Sequence, residues 1–301
     1  MDHRAFIRSL PPQQRADLTR KSDREGLLHL AGHWGLILLL GGLIAARVPC
    51  WPALMLPQGI LLVFLFTLLH ETSHRTVFAT AWLNKAVAWI CGFLIILPPD
   101  WFRHFHFEHH RYTQDPEKDP ELQSPKPQTL GQYLVHITGL PVWFSHLKTL
   151  ARNACGRACD GDAGHFIPTP ERKKIAWEAR VMVMLYGLLA AASLATGSTV
   201  LIFVWLVPLL LGQPFLRLYL LAEHGGCPYS PNMLENSRTT RTTWFVRKLA
   251  WNMPYHAEHH SFPGVPFHRL PQLHALIKEH LKVTEDGYFR FHREFTKGLV
   301  R

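Results

Sequence analysis

Two long apolar blocks constrain this 301-residue chain more than any other feature. The first runs from Leu27 to Leu69 and is interrupted at Pro49-Cys50-Trp51-Pro52. The second runs from Val181 to Leu221 and is interrupted at Gly197-Ser198-Thr199. A helix needs about 20 predominantly apolar residues to cross a bilayer, and each block is about twice that long. Turn-forming residues occupy both interruptions, so each block reads as a helical hairpin. The fold class expected is an all-α integral membrane protein with four spans. A buried helix pair in a large soluble protein is the alternative. Charged residues make up only 18 % of the chain, against about 25 % in soluble domains. An aromatic content of 12 % excludes disorder, and five cysteines are too few for a disulfide scaffold.

Charge placement orients the hairpins. The first hairpin carries one basic residue at its tip, Arg47, and the second carries none. The first 26 residues hold six, Ser73 to Arg180 holds thirteen, and Glu223 to Arg301 holds eleven; Arg217 lies inside the last span. Basic segments are retained in the cytoplasm. Both termini and the middle segment are therefore expected there, in the inner membrane if the cell is bacterial. The organisation expected is one domain over 1–301: an N-terminal segment 1–26, the first hairpin 27–69, a cap 70–178, the second hairpin 179–222, and a C-terminal part 223–301. Met1 to Glu25 is polar and basic, with no signal-like apolar stretch. Trp82 to Leu97 is apolar, but a single crossing there would put the basic middle segment outside, so it is expected to be re-entrant or to lie on the membrane. Gln132 to Thr149 reads as an amphipathic interfacial helix, Asp160 to Gly164 as a loop, and Pro271 to Lys282 as a helix.

Histidine is over-used, at twenty residues, and three clusters stand out. They are His70-Glu71-Thr72-Ser73-His74, His106-Phe107-Glu108-His109-His110 and His256-Ala257-Glu258-His259-His260. Offsets of three and four residues place side chains on one helix face, so each cluster can aim two or three imidazoles at one point. His224, at the end of the fourth span, makes a ninth. All four groups fall on the same side of the membrane in this topology. Neutral imidazole suits zinc, copper, iron and nickel. Nine are too many for one ion and fit two ions with four or five each. No cysteine lies in the clusters, which disfavours thiolate zinc and iron–sulfur sites. Two redox-capable ions at a membrane surface suit oxygen chemistry. The first cluster also reads as H-E-x-x-H, a zinc protease motif, but that reading leaves six clustered histidines unused. A non-enzymatic metal-binding membrane protein is a third alternative. His29 and His33 are expected to be interfacial. His104, His136, His146, His165, His268, His274, His280 and His292 are expected to be ordinary hydrogen-bonded or surface residues.

The three boxes, in order around a second hairpin on a four-span frame, resemble the membrane-bound fatty acid desaturase and hydroxylase superfamily. The flanks strengthen the likeness to its bacterial branch: Arg103 to His110, Thr113, Asp115-Pro116, Asp119-Pro120, Asn252 to His260, Pro263 and Pro266. The resemblance covers His70 to about Leu273. It implies a non-haem di-iron centre held by His70, His74, His106, His109, His110, His256, His259 and His260, with His224 as a further ligand and O2 as co-substrate. These histidines would act in catalysis through the metals. Where relatives carry an Asn four residues before the histidine that His224 matches, this chain has Leu220, which leaves that position to water, with Asn252 placed to hold it. The activity implied is desaturation of a fatty-acyl chain or similar lipid-like substrate. Hydroxylation or oxidative decarboxylation on the same fold is the alternative.

Glu71, Glu108, Glu223, Glu258, Asp115 and Asp119 are candidates for orienting ligating imidazoles, or for pairing with nearby Arg and Lys. Phe64, Phe66, Leu68, Phe215 and Tyr219 could line a lipid path, though packing is the simpler role for each. The basic face could meet an acidic head group, a carrier protein or anionic lipid; no nucleic-acid-reading motif is present. Cys91, Cys155, Cys159 and Cys227 are expected to be reduced, and Cys50 lies alone on the outer side. No haem, ferredoxin or flavin segment and no Gly-rich phosphate cradle is found, so an external donor of ferredoxin or cytochrome type is expected to supply electrons.

Overall fold

The computed structural model describes residues 1–158 and 165–300. The chain opens with two short helices, α1 (His3–Ser9) and α2 (Pro12–Leu18), before the first span, α3 (Asp23–Ala45). Ser22 caps α3 by accepting from the Glu25 amide at 3.3 Å, and Asp23 and Glu25 in the first turn complement the helix dipole. The hairpin turns where Arg47 and Cys50 take positive φ. The return span is α4 (Trp51–Val63) followed by α5 (Leu65–Ser73). The break at Phe64 frees a carbonyl that Thr67 Oγ1 satisfies at 2.8 Å.

The third apolar stretch forms α6 (Ala81–Leu94), which meets α7 (Pro99–Tyr112) at a bend of 101°. His74 precedes this pair and His106 lies on its second arm, yet their Nε2 atoms are 2.8 Å apart. The pair therefore leaves and returns to one place. Backbone at membrane depth must be satisfied by protein. Here Tyr186 Oη donates to the Phe93 carbonyl and Trp205 Nε1 to that of Leu94, each at 2.7 Å.

The amphipathic segment is two helices and not the expected one, α8 (Leu130–Thr138) and α9 (Leu140–Ala154). Gly139 sits between them at φ +70° and packs so closely on Gln213 that a Cβ would lie 2.1 Å from its Cγ. Leu134, Leu140, Phe144 and Leu147 stay exposed. The third span, α10 (Thr169–Thr196), starts ahead of its apolar block, because the charged residues Glu171 to Lys174 and Glu178 continue the same helix. The fourth span enters through a π-turn at Ile202–Leu206 and continues as α11 (Val207–His224). These four helices are long and apolar enough to cross a membrane. At the crossing of α4 and α11 two backbones touch: a Cβ on Gly59 would lie 2.0 Å from the Pro208 oxygen, and one on Gly212 2.2 Å from that of Gly59. Small residues permit such contacts between spans.

The C-terminal part contributes α12 (Met233–Asn236), α13 (Trp244–Leu249), α14 (His256–Ser261), α15 (Leu270–Ile277) and α16 (Tyr288–Lys297). The helix expected at Pro271 to Lys282 ends at Ile277 and tightens into a 3₁₀ turn to His280. Departures from an all-α fold among the described residues are a short parallel pairing of β1 (Thr239–Arg241) with β2 (Thr284–Asp286) and isolated bridges of Thr129 with Val300 and of Thr239 with Tyr255. Leu65, Leu68, Leu69, Phe78, Trp251 and Leu270 are fully buried and join the first hairpin to the C-terminal part. The loop expected at Asp160 to Gly164 and Cys159 lie outside the described residues; Cys50, Cys91, Cys155 and Cys227 are free.

Candidate metal centre

Each box is delivered by a helix end. His70 and His74 close α5, the second box occupies the last turns of α7, the third box is α14, and His224 ends α11. The nine imidazoles gather in two adjoining groups. His70, His74, His106, His110 and His259 bring one ring nitrogen each within 4.8 Å of one another, and His109, His224 and His260 do the same. His256 joins the second group, its Nε2 lying 2.8 Å from that of His224. The groups touch through His110 and His260, whose rings stack with centroids 4.0 Å apart. Seven of the nine are buried; His74 and His110 are half-buried and mark the side where the site opens, beside Phe107.

In the group of four, Nδ1 has a neighbour in every ring. That of His109 faces Asp119 Oδ1 at 2.9 Å, that of His224 the Asn236 carbonyl at 3.0 Å, that of His260 Thr113 Oγ1 at 3.1 Å, and that of His256 Glu223 Oε1 at 3.3 Å. With Nδ1 hydrogen-bonded in His109, His224 and His260, Nε2 of those rings is left to point at the common centre, while His256 Nδ1 has the Glu223 carboxylate near it and no hydrogen bond. In the group of five, Glu71 Oε2 stands 3.8 Å from His259 Nδ1. Its other oxygen accepts from Thr76 Oγ1 at 2.7 Å and from the Phe267 amide at 2.9 Å. Glu71 thus ties α5 to the turn after α14 and lies behind an imidazole, away from the place a protease base would take.

Burial foremost, then the neighbouring imidazoles, holds His106, His110, His256, His259 and His260 well below the ordinary value of 6.5. These rings are neutral, which is the ligating form. Burial would lower His109 too, but Glu121 and Asp119 outweigh it and raise its pKa. Both nitrogens of His110 and of His259, and Nε2 of His260, are buried with no hydrogen-bond partner. An unsatisfied buried polar atom costs about 1–3 kcal/mol. A set of orphaned, neutral, converging imidazoles suits metal ions, and two ions match the two groups.

Of the expected orienting carboxylates, Asp119 hydrogen-bonds a clustered ring, and Glu223 and Glu71 lie near ring nitrogens without bonding them. Glu108 instead pairs with Arg111 at 3.2 Å, and Asp115 caps its own turn through the Glu117 amide at 3.0 Å. Glu258 is turned from the centre and bonds Thr239 Oγ1 at 2.6 Å and His274. Asn252 donates to the Phe267 carbonyl at 3.0 Å, which engages the amide expected to hold a water. Asn236 escaped sequence reasoning because a backbone carbonyl leaves no residue signal. His29 and His33 stay outside both groups and bond the carbonyls of Lys248 and Leu61. Phe64, Leu68 and Tyr219 are buried in packing, while Phe215 is exposed.

A model of the family described as fatty acid desaturase matches residues 45–292, most of the chain. The chain belongs to the fatty acid desaturase family. Among its curated relatives is a Delta(12)-fatty-acid desaturase of Arabidopsis thaliana, 29 % identical over 254 residues, covering 76 % of this chain and 66 % of that protein. The dihydrorhizobitoxine desaturase of Bradyrhizobium elkanii is 28 % identical over 244 residues, covering 70 % and 64 %. An acyl-lipid omega-3 desaturase (cytochrome b5) of Arabidopsis thaliana is 26 % identical over 238 residues, covering 73 % and 61 %. The chain spans about two thirds of the length of these relatives. Family membership and four apolar helices make it an integral membrane protein.

Proposed function

We propose that this protein is an O2-dependent di-iron desaturase that introduces a double bond into a fatty-acyl chain or similar lipid-like substrate. The observation that carries the reading is the convergence of nine imidazoles, five and four, inside a desaturase-family membrane frame. His70, His74, His106, His110 and His259 would hold one iron, and His109, His224, His256 and His260 the other. When bound, the irons supply the redox chemistry by which O2, two electrons and two protons take two hydrogens from adjacent methylenes and leave two waters.

The chain's own contribution is position and dryness. Asp119, Asn236 and Thr113 fix three rings through Nδ1, and Glu223 lies beside the Nδ1 of a fourth. Glu71 fixes the relation of the first box to the third. A misplacement of about 1 Å can cost about a hundredfold in rate, so this outer layer matters as much as the ligands. Phe102 stacks on His106 at 5.4 Å, and Phe66 packs on Phe102 at 5.3 Å, which gives the centre an apolar flank toward the first hairpin. The basic segments support a cytoplasmic site and cytoplasmic termini. There an external ferredoxin-type or cytochrome-type donor would supply electrons.

The test is iron analysis of purified protein together with the lipid profile of cells expressing it. Two irons per chain and a product lighter by two hydrogens are expected, with His110→Ala losing both. A product heavier by one oxygen would assign hydroxylation instead, and active protein without iron would overturn the reading.

A further inference from the structure

Away from the histidines, a polar cleft of about 490 Å³ opens between the connection of α2 to α3 and the turn that follows the third box. Arg20, Lys21, Ser22, Glu25, His268 and Arg269 line it. Three of these are permanent cations. Glu25 is engaged by Arg24 at 3.5 Å. Among the described residues no ion pair involves Arg20, Lys21 or Arg269. Arg269 donates to the neutral Gln272 at 2.8 Å, and its Nε is buried without a partner. The cleft therefore holds three cations against one lining carboxylate, Glu25, with the buried Glu71 within electrostatic reach of Lys21, which leaves an excess of positive charge.

Its surroundings are those of a membrane boundary. One turn into α3, Leu27 and Leu28 are 45 % and 59 % exposed on a helix that crosses the bilayer. Beside them α13 presents Trp244 and Phe245, both largely exposed, next to Lys248. His29 Nε2 fastens α13 to α3 through the Lys248 carbonyl at 2.7 Å. Aromatic side chains favour the head-group level, and basic clusters there attract anionic lipid. Charge above, an exposed leucine face below and aromatics at the side form a receptor for an anionic amphiphile.

We propose that this cleft binds the phosphate head group of an anionic phospholipid whose acyl chain lies along the Leu27–Leu28 face of α3. A second feature gives the location meaning. The Phe267 amide, one residue before His268, is the donor held by Glu71, so the lipid would sit against the turn that links the first and third boxes. The proposal stands apart from the desaturase reading, because it needs the membrane frame and not the reaction.

The experiment is native mass spectrometry of the detergent-purified protein with phosphatidylglycerol or phosphatidylcholine of identical chains. Retention of phosphatidylglycerol over phosphatidylcholine is expected. The Arg20→Gln/Lys21→Gln double variant should bind it about 30-fold more weakly, from the usual worth of two basic side chains at a membrane surface. Both side chains are exposed, so the variant keeps its fold, and an unchanged melting temperature checks this. Arg269→Gln should weaken binding independently. Equal retention of phosphatidylcholine, or unchanged phosphatidylglycerol binding in the double variant, overturns the proposal. Displacement of the lipid by inorganic phosphate at comparable concentration would show a free-anion site and overturns the lipid assignment.

Discussion

Replacing Asp119 by alanine removes one carboxylate that serves three donors. Its Oδ1 faces His109 Nδ1 at 2.9 Å and accepts from the Glu121 amide at 2.9 Å, while its Oδ2 accepts from the Gln114 amide at 2.8 Å. The side chain is almost wholly buried, so water does not freely replace it. Each buried donor left unpaired costs about 1–3 kcal/mol. Loss of a partner that orients a ligating imidazole weakens metal binding by about 10–100-fold. His109 belongs to the group of four and the other group has five rings of its own, so the loss falls on one ion. Iron measured by plasma mass spectrometry during a graded chelator wash should drop from two per chain to one in Asp119→Ala at chelator concentrations that leave the wild type intact. Asp119→Asn keeps an acceptor for His109 and should fall between. Two equally resistant irons in Asp119→Ala, or the loss of both together, would refute the division into groups of five and four.

Other outcomes follow from the same geometry. His259→Ala should abolish turnover and reduce bound iron, whereas His136→Ala, whose ring lies outside both groups, should leave iron unchanged; metal analysis of both checks the cluster's outline. Gly59→Ala should force α4 and α11 apart, lowering stability by about 1–3 kcal/mol, read as a drop in melting temperature in detergent. Acidification should destabilise the metal-free protein: unfolded histidines take protons near 6.5, while the depressed folded values of His106, His110, His256, His259 and His260 delay protonation. Stability from these rings is therefore present above about 6.5 and lost as pH falls toward the folded values. His109, with its raised value, runs the other way and loses its contribution as pH rises. Thermal unfolding across pH 5 to about 8 reads the sum. A reporter fused at the C-terminus should report cytoplasm, and a signal from the other side would reverse the orientation.

The parts of this molecule that sequence reading reached are those written in side-chain type and spacing. Four spans follow from apolar length, and the nine converging rings follow from i, i+3, i+4 offsets on helix ends. Charge bookkeeping led to the expectation that Trp82 to Leu97 is re-entrant or lies on the membrane, and the 2.8 Å approach of His74 and His106 shows that the chain does return to one place. Where backbone does the work, sequence was mute. The Asn236 carbonyl that faces His224 has no residue signature, and the break at Gly139 depends on how closely Gln213 approaches. The carboxylates also sort against sequence distance: Glu108, inside the second box, faces an arginine, whereas Asp119, well beyond it in the chain, faces a ring. His274, expected to be ordinary, holds Glu258 from outside the centre.

The bend between α6 and α7 sets an order of assembly. Its two open carbonyls are closed by Tyr186 and Trp205, which lie 93 and 111 residues further along the chain. A nascent polypeptide that has made only this bend lacks both of these donors. His224 closes the last span, so the maturing enzyme cannot present a complete cradle of nine imidazoles before that span is in place.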